Sequence, residues 1–188
     1  MNAPAPRDFS VATPSAPVIV VMGVCGCGKS SIGAALAARH GWAFLEGDDL
    51  HPPANVARMS QGLPLTDEDR LGWLDAIGAH IAAASHAGAG LVVACSALKR
   101  SYRARLEAAG PDVRFLHLAG DPPLIEARMA ARANHFMPLS LIDSQFATLE
   151  PPGPVERAVS VAIDQPPEAL LEEAERGLAS LRQKEPQP

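Results

Sequence analysis

The string Gly23-Val24-Cys25-Gly26-Cys27-Gly28-Lys29-Ser30 constrains this chain more than any other, because it satisfies G-x-x-x-x-G-K-[ST] at every defined position. It stands between the apolar run Val18–Met22 and an amphipathic stretch that ends at His40-Gly41, so it requires a strand, a tight loop and a helix in that order. Glycines at 23, 26 and 28 let the backbone aim successive N–H groups at one point, and the helix N-terminus behind them adds partial positive charge. Such a loop cradles the phosphates of ATP or GTP. Lys29 would reach the β- and γ-phosphates, and the Ser30 hydroxyl would ligate Mg2+. The motif by itself leaves open whether the nucleotide drives chemistry on a small molecule, a mechanical cycle or a signalling switch.

Further short apolar runs at 42–45, 91–95, 113–118 and 159–163 are separated by helical stretches, a pattern that predicts a parallel sheet covered on both faces. Thr66-Asp67-Glu68-Asp69 reads as a capping box opening a helix toward His86, and a helix from Lys99 stops at Gly110-Pro111. Asp121-Pro122-Pro123 opens the helix that carries Arg128 and Arg132, and Pro166-Pro167-Glu168 opens the last one. The 188 residues, 47% apolar and 20% charged, suit one core, so a single α/β domain over 17–182 is expected, with unpacked tails at 1–16 and 183–188.

A net charge of -5 argues against a nucleic-acid partner. No apolar leader precedes Pro17 and no apolar run is long enough for a bilayer, so no membrane partner is expected. Two of the three cysteines sit inside the glycine-rich turn, which fits reduced thiols in the cytoplasm and not a disulfide scaffold. Beside Lys29 and the loop N–H groups, the thiols of Cys25 and Cys27 are expected to ionise easily and to react.

The length favours chemistry on a small metabolite, since a switch or motor needs further elements. Glu46-Gly47-Asp48-Asp49-Leu50-His51-Pro52 follows the second apolar run, and strand alternation would put Glu46 and Asp48 on one side at the carboxyl end of a strand. One carboxylate there could orient Mg2+ and the other accept a hydroxyl proton; which of Glu46, Asp48 and Asp49 is the base stays open. Lys99, Arg100 and Arg103 crowd the start of a helix, where cations oppose the macrodipole, and their placement suggests an anionic ligand. Arg128 and Arg132, four residues apart, share a helix face leading into 134–140, a segment that could close as a lid.

Taken with the loop, the strings Gly47-Asp48-Asp49-Leu50-His51-Pro52, Asp69-Arg70, Trp73-Leu74, Cys95-Ser96-Ala97-Leu98-Lys99 and Ser144-Gln145-Phe146 resemble the thermoresistant-type gluconokinase family over about residues 18–182. The resemblance implies a P-loop NTPase fold of the nucleoside-monophosphate-kinase kind, a five-stranded parallel sheet with helices on both faces and a lid at about 128–140. It implies ATP-dependent phosphorylation of D-gluconate at the 6-hydroxyl, with ATP and Mg2+, in a homodimer. Carried over by position, Lys29, Asp48, Arg128 and Arg132 are catalytic. Gly23, Gly26, Cys27, Gly28, Lys29, Ser30, Ser31 and Gln165 hold the nucleotide, and Ser30 and Glu46 the metal. Asp48, His51, Arg58, Lys99, Arg100 and His135 meet the sugar acid.

Two positions depart from the family pattern. Cys25 and Cys27 stand where serines are usual, at positions that act through backbone N–H groups, and Glu46 stands where Asp is common. The readings in competition are a P-loop kinase for another small hydroxy acid, such as shikimate, and a nucleotide-binding regulator without phosphotransfer.

Overall fold

Alternation along the first strand explains why the sheet needs cover on both sides: Ile19 and Val21 face one core layer, while Val18, Val20 and Met22 face the other, all buried. The computed structural model describes residues 16–131 and 139–183. Arg132, His135, the 132–138 part of the expected lid and the tails at 1–15 and 184–188 lie outside the described residues.

The chain runs β1 (Val18–Met22), α1 (Lys29–His40), β2 (Ala43–Glu46), a 3-10 turn (Gly47–Leu50), α2 (Pro53–Ser60), α3 (Asp67–His86) and β3 (Leu91–Ala94). It continues through α4 (Arg100–Glu107), β4 (Val113–Ala119), α5 (Pro122–Ala130), α6 (Leu139–Thr148), β5 (Ala158–Ala162) and α7 (Pro167–Gln183). Each strand begins and ends within a residue of its expected run. The 3-10 turn, α2 and α6 have no counterpart in the sequence reading, because each is short or follows no apolar period long enough to mark it.

Strand order is β2-β3-β1-β4-β5 and every neighbouring pair is parallel. The chain therefore moves outward from β1 to β2, returns to β3, and crosses to β4 on the other side of β1. Open sheets of this type take ligands at the carboxyl ends of the strands beside that change of direction, where the loops after β1, β2, β3 and β4 emerge. One face is packed by α1, α5 and α7 through Leu36, Ile125 and Leu171, the other by α3 and α4 through Trp73, Ile77, Ile81 and Leu106. Each such large apolar side chain, once buried, contributes about 1.5–3 kcal/mol.

Helix starts follow their expected chemistry. Thr66 Oγ1 accepts from Asp69 N at 3.1 Å while Asp69 Oδ2 accepts from Thr66 N at 2.8 Å, completing the capping box. Asp121 Oδ1 accepts from Leu124 N at 3.0 Å to cap α5. Among the described residues no helix is long and apolar enough to cross a membrane.

Candidate active site

Three glycines set the shape of the loop after β1. Gly23, Gly26 and Gly28 have φ of 138, 84 and 102°, a region that side chains of L residues rarely enter. α1 begins at Lys29 with no side chain bonded to its first amides, so these donors are left for a ligand at the helix N-terminus. Lys29 Nζ donates to Val24 O at 3.0 Å, folding the ammonium back over the loop. Burial pulls its pKa down, but Cys27, Asp48, Cys25 and Cys95 together outweigh this and leave it raised, with Asp48 the carboxylate among them. The chain thus keeps Lys29 a cation.

The loop faces two clefts. Gly26, Cys27, Gly28 and Ser31 line one of them together with Arg128 and Gln165. That cleft gathers most of the residues expected to hold the nucleotide. Arg128 lies on this side, its guanidinium donating to Ile163 O at 2.5 Å. Gln165 Nε2 is tied to Ala162 O at 2.9 Å and Glu173 Oε2 at 2.7 Å. Ser30 and Ser31 are exposed at the first turn of α1. Cys27, expected to be reactive, is only 1% exposed and packs into the core with Ile32 and Leu36 although it borders this cleft; Cys25, half-buried, lines the other one.

The second cleft brings Lys29, Asp48, His51, Arg70, Ser96 and Gln145 together, floored by Leu65, Trp73 and Leu98. Asp48 arrives there differently from the expected strand alternation. β2 ends at Glu46, and Asp48 lies in the 3-10 turn, whose repeat differs from that of a strand, so the two carboxylates are not paired by β geometry. Glu46 is half-buried and Asp49 exposed, and neither lines the two clefts. The turn is pinned from below: Trp73 Nε1 donates to Gly47 O at 2.6 Å in a buried bond, and a Cβ on Gly47 would run into the carbonyl oxygen of Ala94. His51 stacks on Trp73 with ring centroids 4.2 Å apart and 14° between planes. Its side chain is 4% exposed, and its Nε2 stands 4.0 Å from Asp48 Oδ1. Burial lowers the His51 pKa, Asp48 opposes that and Arg70 reinforces it, so the ring is neutral at pH 7.

The expected anion-binding cations are arranged otherwise than their sequence positions suggested. Lys99 Nζ donates to both Asp67 oxygens at 2.7 Å. Buried Arg103 forms a two-pronged pair with Glu156 at 2.6 and 3.0 Å, and adds bonds at 3.2 Å to Ala97 O and Leu98 O. Arg58 lies 3.6 Å from Asp69, and Arg100 is exposed. At the start of α4 Lys99 and Arg103 are thus answered by carboxylates of the protein itself, and Arg58, Lys99 and Arg100 do not line the cleft. Arg70 does. It bonds Leu65 O at 2.5 Å and Thr66 O at 3.3 Å and has no carboxylate partner among the described residues. The same signal, a cation early in a helix, is present in the sequence at Arg70. Gln145, whose Oε1 accepts from Cys25 N at 2.7 Å, gave no signal of its own beyond its place in the family-like string.

A phosphate loop between one cleft at its glycines and a second cleft holding a carboxylate and a cation, on a parallel sheet of this order, defines a P-loop small-molecule kinase. The family described as an AAA domain matches residues 18–152. A gluconokinase of Gluconobacter oxydans (strain 621H) is 47% identical over 155 residues, covering 82% of this chain and 87% of that protein. The thermosensitive gluconokinase of Escherichia coli (strain K12) is 43% identical over 166 residues, covering 87% and 88%. The crystal structure of a gluconokinase from Sinorhizobium meliloti 1021 superimposes with a TM-score of 0.83 at 48% identity, covering 90% of this chain and 95% of that one. This chain belongs to the gluconokinase family.

Proposed function

We propose that the protein transfers the γ-phosphoryl group of ATP to the 6-hydroxyl of D-gluconate, giving 6-phospho-D-gluconate and ADP. The observation that carries this reading is that Lys29, Asp48 and Arg70 line one cleft beside the phosphate loop. Relatives named gluconokinases at 43–47% identity favour gluconate over shikimate as the acceptor.

In this reading Asp48 accepts the proton of the acceptor hydroxyl as its oxygen attacks phosphorus, and the bond from phosphorus to the bridging oxygen breaks, leaving ADP. Lys29 and the loop amides stabilise the charge that spreads over the phosphoryl oxygens. Mg2+ supplies further charge neutralisation when bound. Among the described residues no three His, Cys, Asp or Glu side chains cluster as a metal site. The exposed Ser30 hydroxyl fits a cation that is held largely by the phosphates, and the metal-side role of Glu46 rests on the family resemblance. So do the lid roles of Arg132 and His135 and the homodimer, whereas residence in the cytoplasm rests on the reduced cysteines and the want of an apolar leader before Pro17. Arg128 and Gln165 belong to the nucleotide side of this scheme.

Release of ADP, measured with D-gluconate, glucose, gluconolactone and shikimate at fixed Mg-ATP, tests the assignment. Turnover is expected with gluconate alone. Asp48→Asn should lower kcat about 10²-fold or more, the usual worth of a positioned base, with ATP binding little changed. Equal kcat/KM for glucose and gluconate would remove the sugar acid from the assignment, and activity on shikimate alone would give the reaction to the other hydroxy acid.

A further inference from the structure

Gln145 sits where the phosphate loop passes from one cleft to the other. Cys25 lines the acceptor cleft, whereas the next residues, Gly26 to Gly28, line the nucleotide cleft. At that junction Cys25 N donates to Gln145 Oε1 at 2.7 Å, across 120 residues of sequence. A backbone N–H can only donate, so the carboxamide oxygen must face the loop and its NH2 group is turned the other way. That NH2 has no hydrogen-bond partner among the described residues and is not sealed off, since His51 Nδ1 is the buried side-chain atom left unpaired there. Gln145 lines a cleft with Lys29, Asp48, Arg70 and Ser96, and a smaller one beside it with Met59 and Arg70.

We propose that Gln145 is a specificity-determining residue of the acceptor site, its NH2 donating to an oxygen of the sugar acid while its oxygen holds the Cys25 amide. The inference rests on the sugar-acid reading above and adds to it the group that couples acceptor binding to the loop. A carboxamide suits this place because it is neutral at every working pH, offers two donors to hydroxyl or carboxylate oxygens, and has an acceptor left for the loop. A carboxylate of the same shape would still accept from Cys25, but would present only acceptors and a negative charge to an anionic substrate.

Gln145→Glu therefore separates the two halves of the side chain, and Gln145→Leu removes both. Steady-state kinetics with D-gluconate and ATP varied in turn, with thermal melts to verify folding, read the result. For Gln145→Glu the KM for gluconate is expected to rise about 10- to 100-fold, the worth of a charge-sensitive hydrogen bond, while the KM for ATP stays within about twofold. Gln145→Leu should raise the gluconate KM by a smaller factor. Unchanged gluconate KM in both variants would overturn the inference, and so would a parallel rise in both KM values of Gln145→Glu, which keeps the bond to the loop. Wild-type protein that turns over no gluconate overturns the functional reading, and this inference with it; active wild type with unaffected variants overturns the inference alone.

Discussion

Lys99 and Arg70 both stand at the start of a helix, yet the first meets a carboxylate of its own chain and the second meets the cleft. Lys99 is held on Asp67, whose oxygens also take the Tyr102 hydroxyl, at 2.5 Å, so an incoming anion would have to compete with an existing pair. Arg70 spends its bonds on backbone carbonyls and has no carboxylate within ion-pair distance among the described residues, though its charge is felt by Asp67 and Asp69. An uncharged acceptor would leave it so, whereas a carboxylate would pair with it. Arg70→Ala is therefore expected to raise the KM for gluconate about 10- to 100-fold, and Lys99→Ala to leave it within about threefold, since an exposed pair is worth 1 kcal/mol or less. Varying gluconate at saturating ATP measures both, and a larger effect at Lys99 would return the carboxylate to that residue. The residue types needed for an anion site were legible in the sequence. Their partners were not, because pairing depends on which carboxylate the fold delivers to within about 4 Å.

At the level of elements, the carboxylate proposed as the base depends on a turn and not on a strand. The 3-10 turn is pressed against β3 at Gly47 and bonded from α3 through Trp73, so α3 and β3 together fix where Asp48 stands. Trp73→Phe keeps an aromatic ring in the core and under His51 but leaves the buried Gly47 carbonyl without its donor, at a cost of about 1–3 kcal/mol. Such a variant should show a lower Tm and a kcat that falls more than either KM rises. Full kcat together with a reduced Tm would show that the turn holds its position without this bond. A sequence reader sees the capping box of α3 and the strand-loop-helix around Lys29, because each is written in neighbouring residues. The turn is legible only as an acidic, glycine-containing segment. Ala97, with φ of 42° in the loop after β3, is another feature of packing alone: its carbonyl is taken by Arg103, whose partner Glu156 lies 53 residues on.

At the scale of the molecule, two imidazoles among the described residues have their pKa lowered by folding. Burial lowers the pKa of both His51 and His117 below the ordinary 6.5. Above that pH neither titrates in either state; as pH falls through 6.5 the unfolded chain binds protons that the folded chain refuses, so stability drops until the folded-state values are passed. Asp67 and Glu156, held below the ordinary carboxylate range chiefly by hydrogen bonds from Lys99 and Arg103, give up their contribution only at lower pH, as it falls through their folded-state values. Thermal melts should therefore show Tm falling between pH 7 and about pH 5.5, and less steeply in His117→Asn; a flat Tm over that window would contradict the burial argument. The sequence alone determined that a phosphate loop joins β1 to α1, that short strands alternate with helices, and that the domain needs two apolar layers. Those are local matters, set by glycine backbone freedom, capping and side-chain period. Tertiary structure decided the strand order, the division of the loop between two clefts, and the meeting of Cys25 with Gln145 and of Gly47 with Trp73. These contacts join segments that no local pattern relates, and close packing of helices on both faces of the sheet is what brings them together.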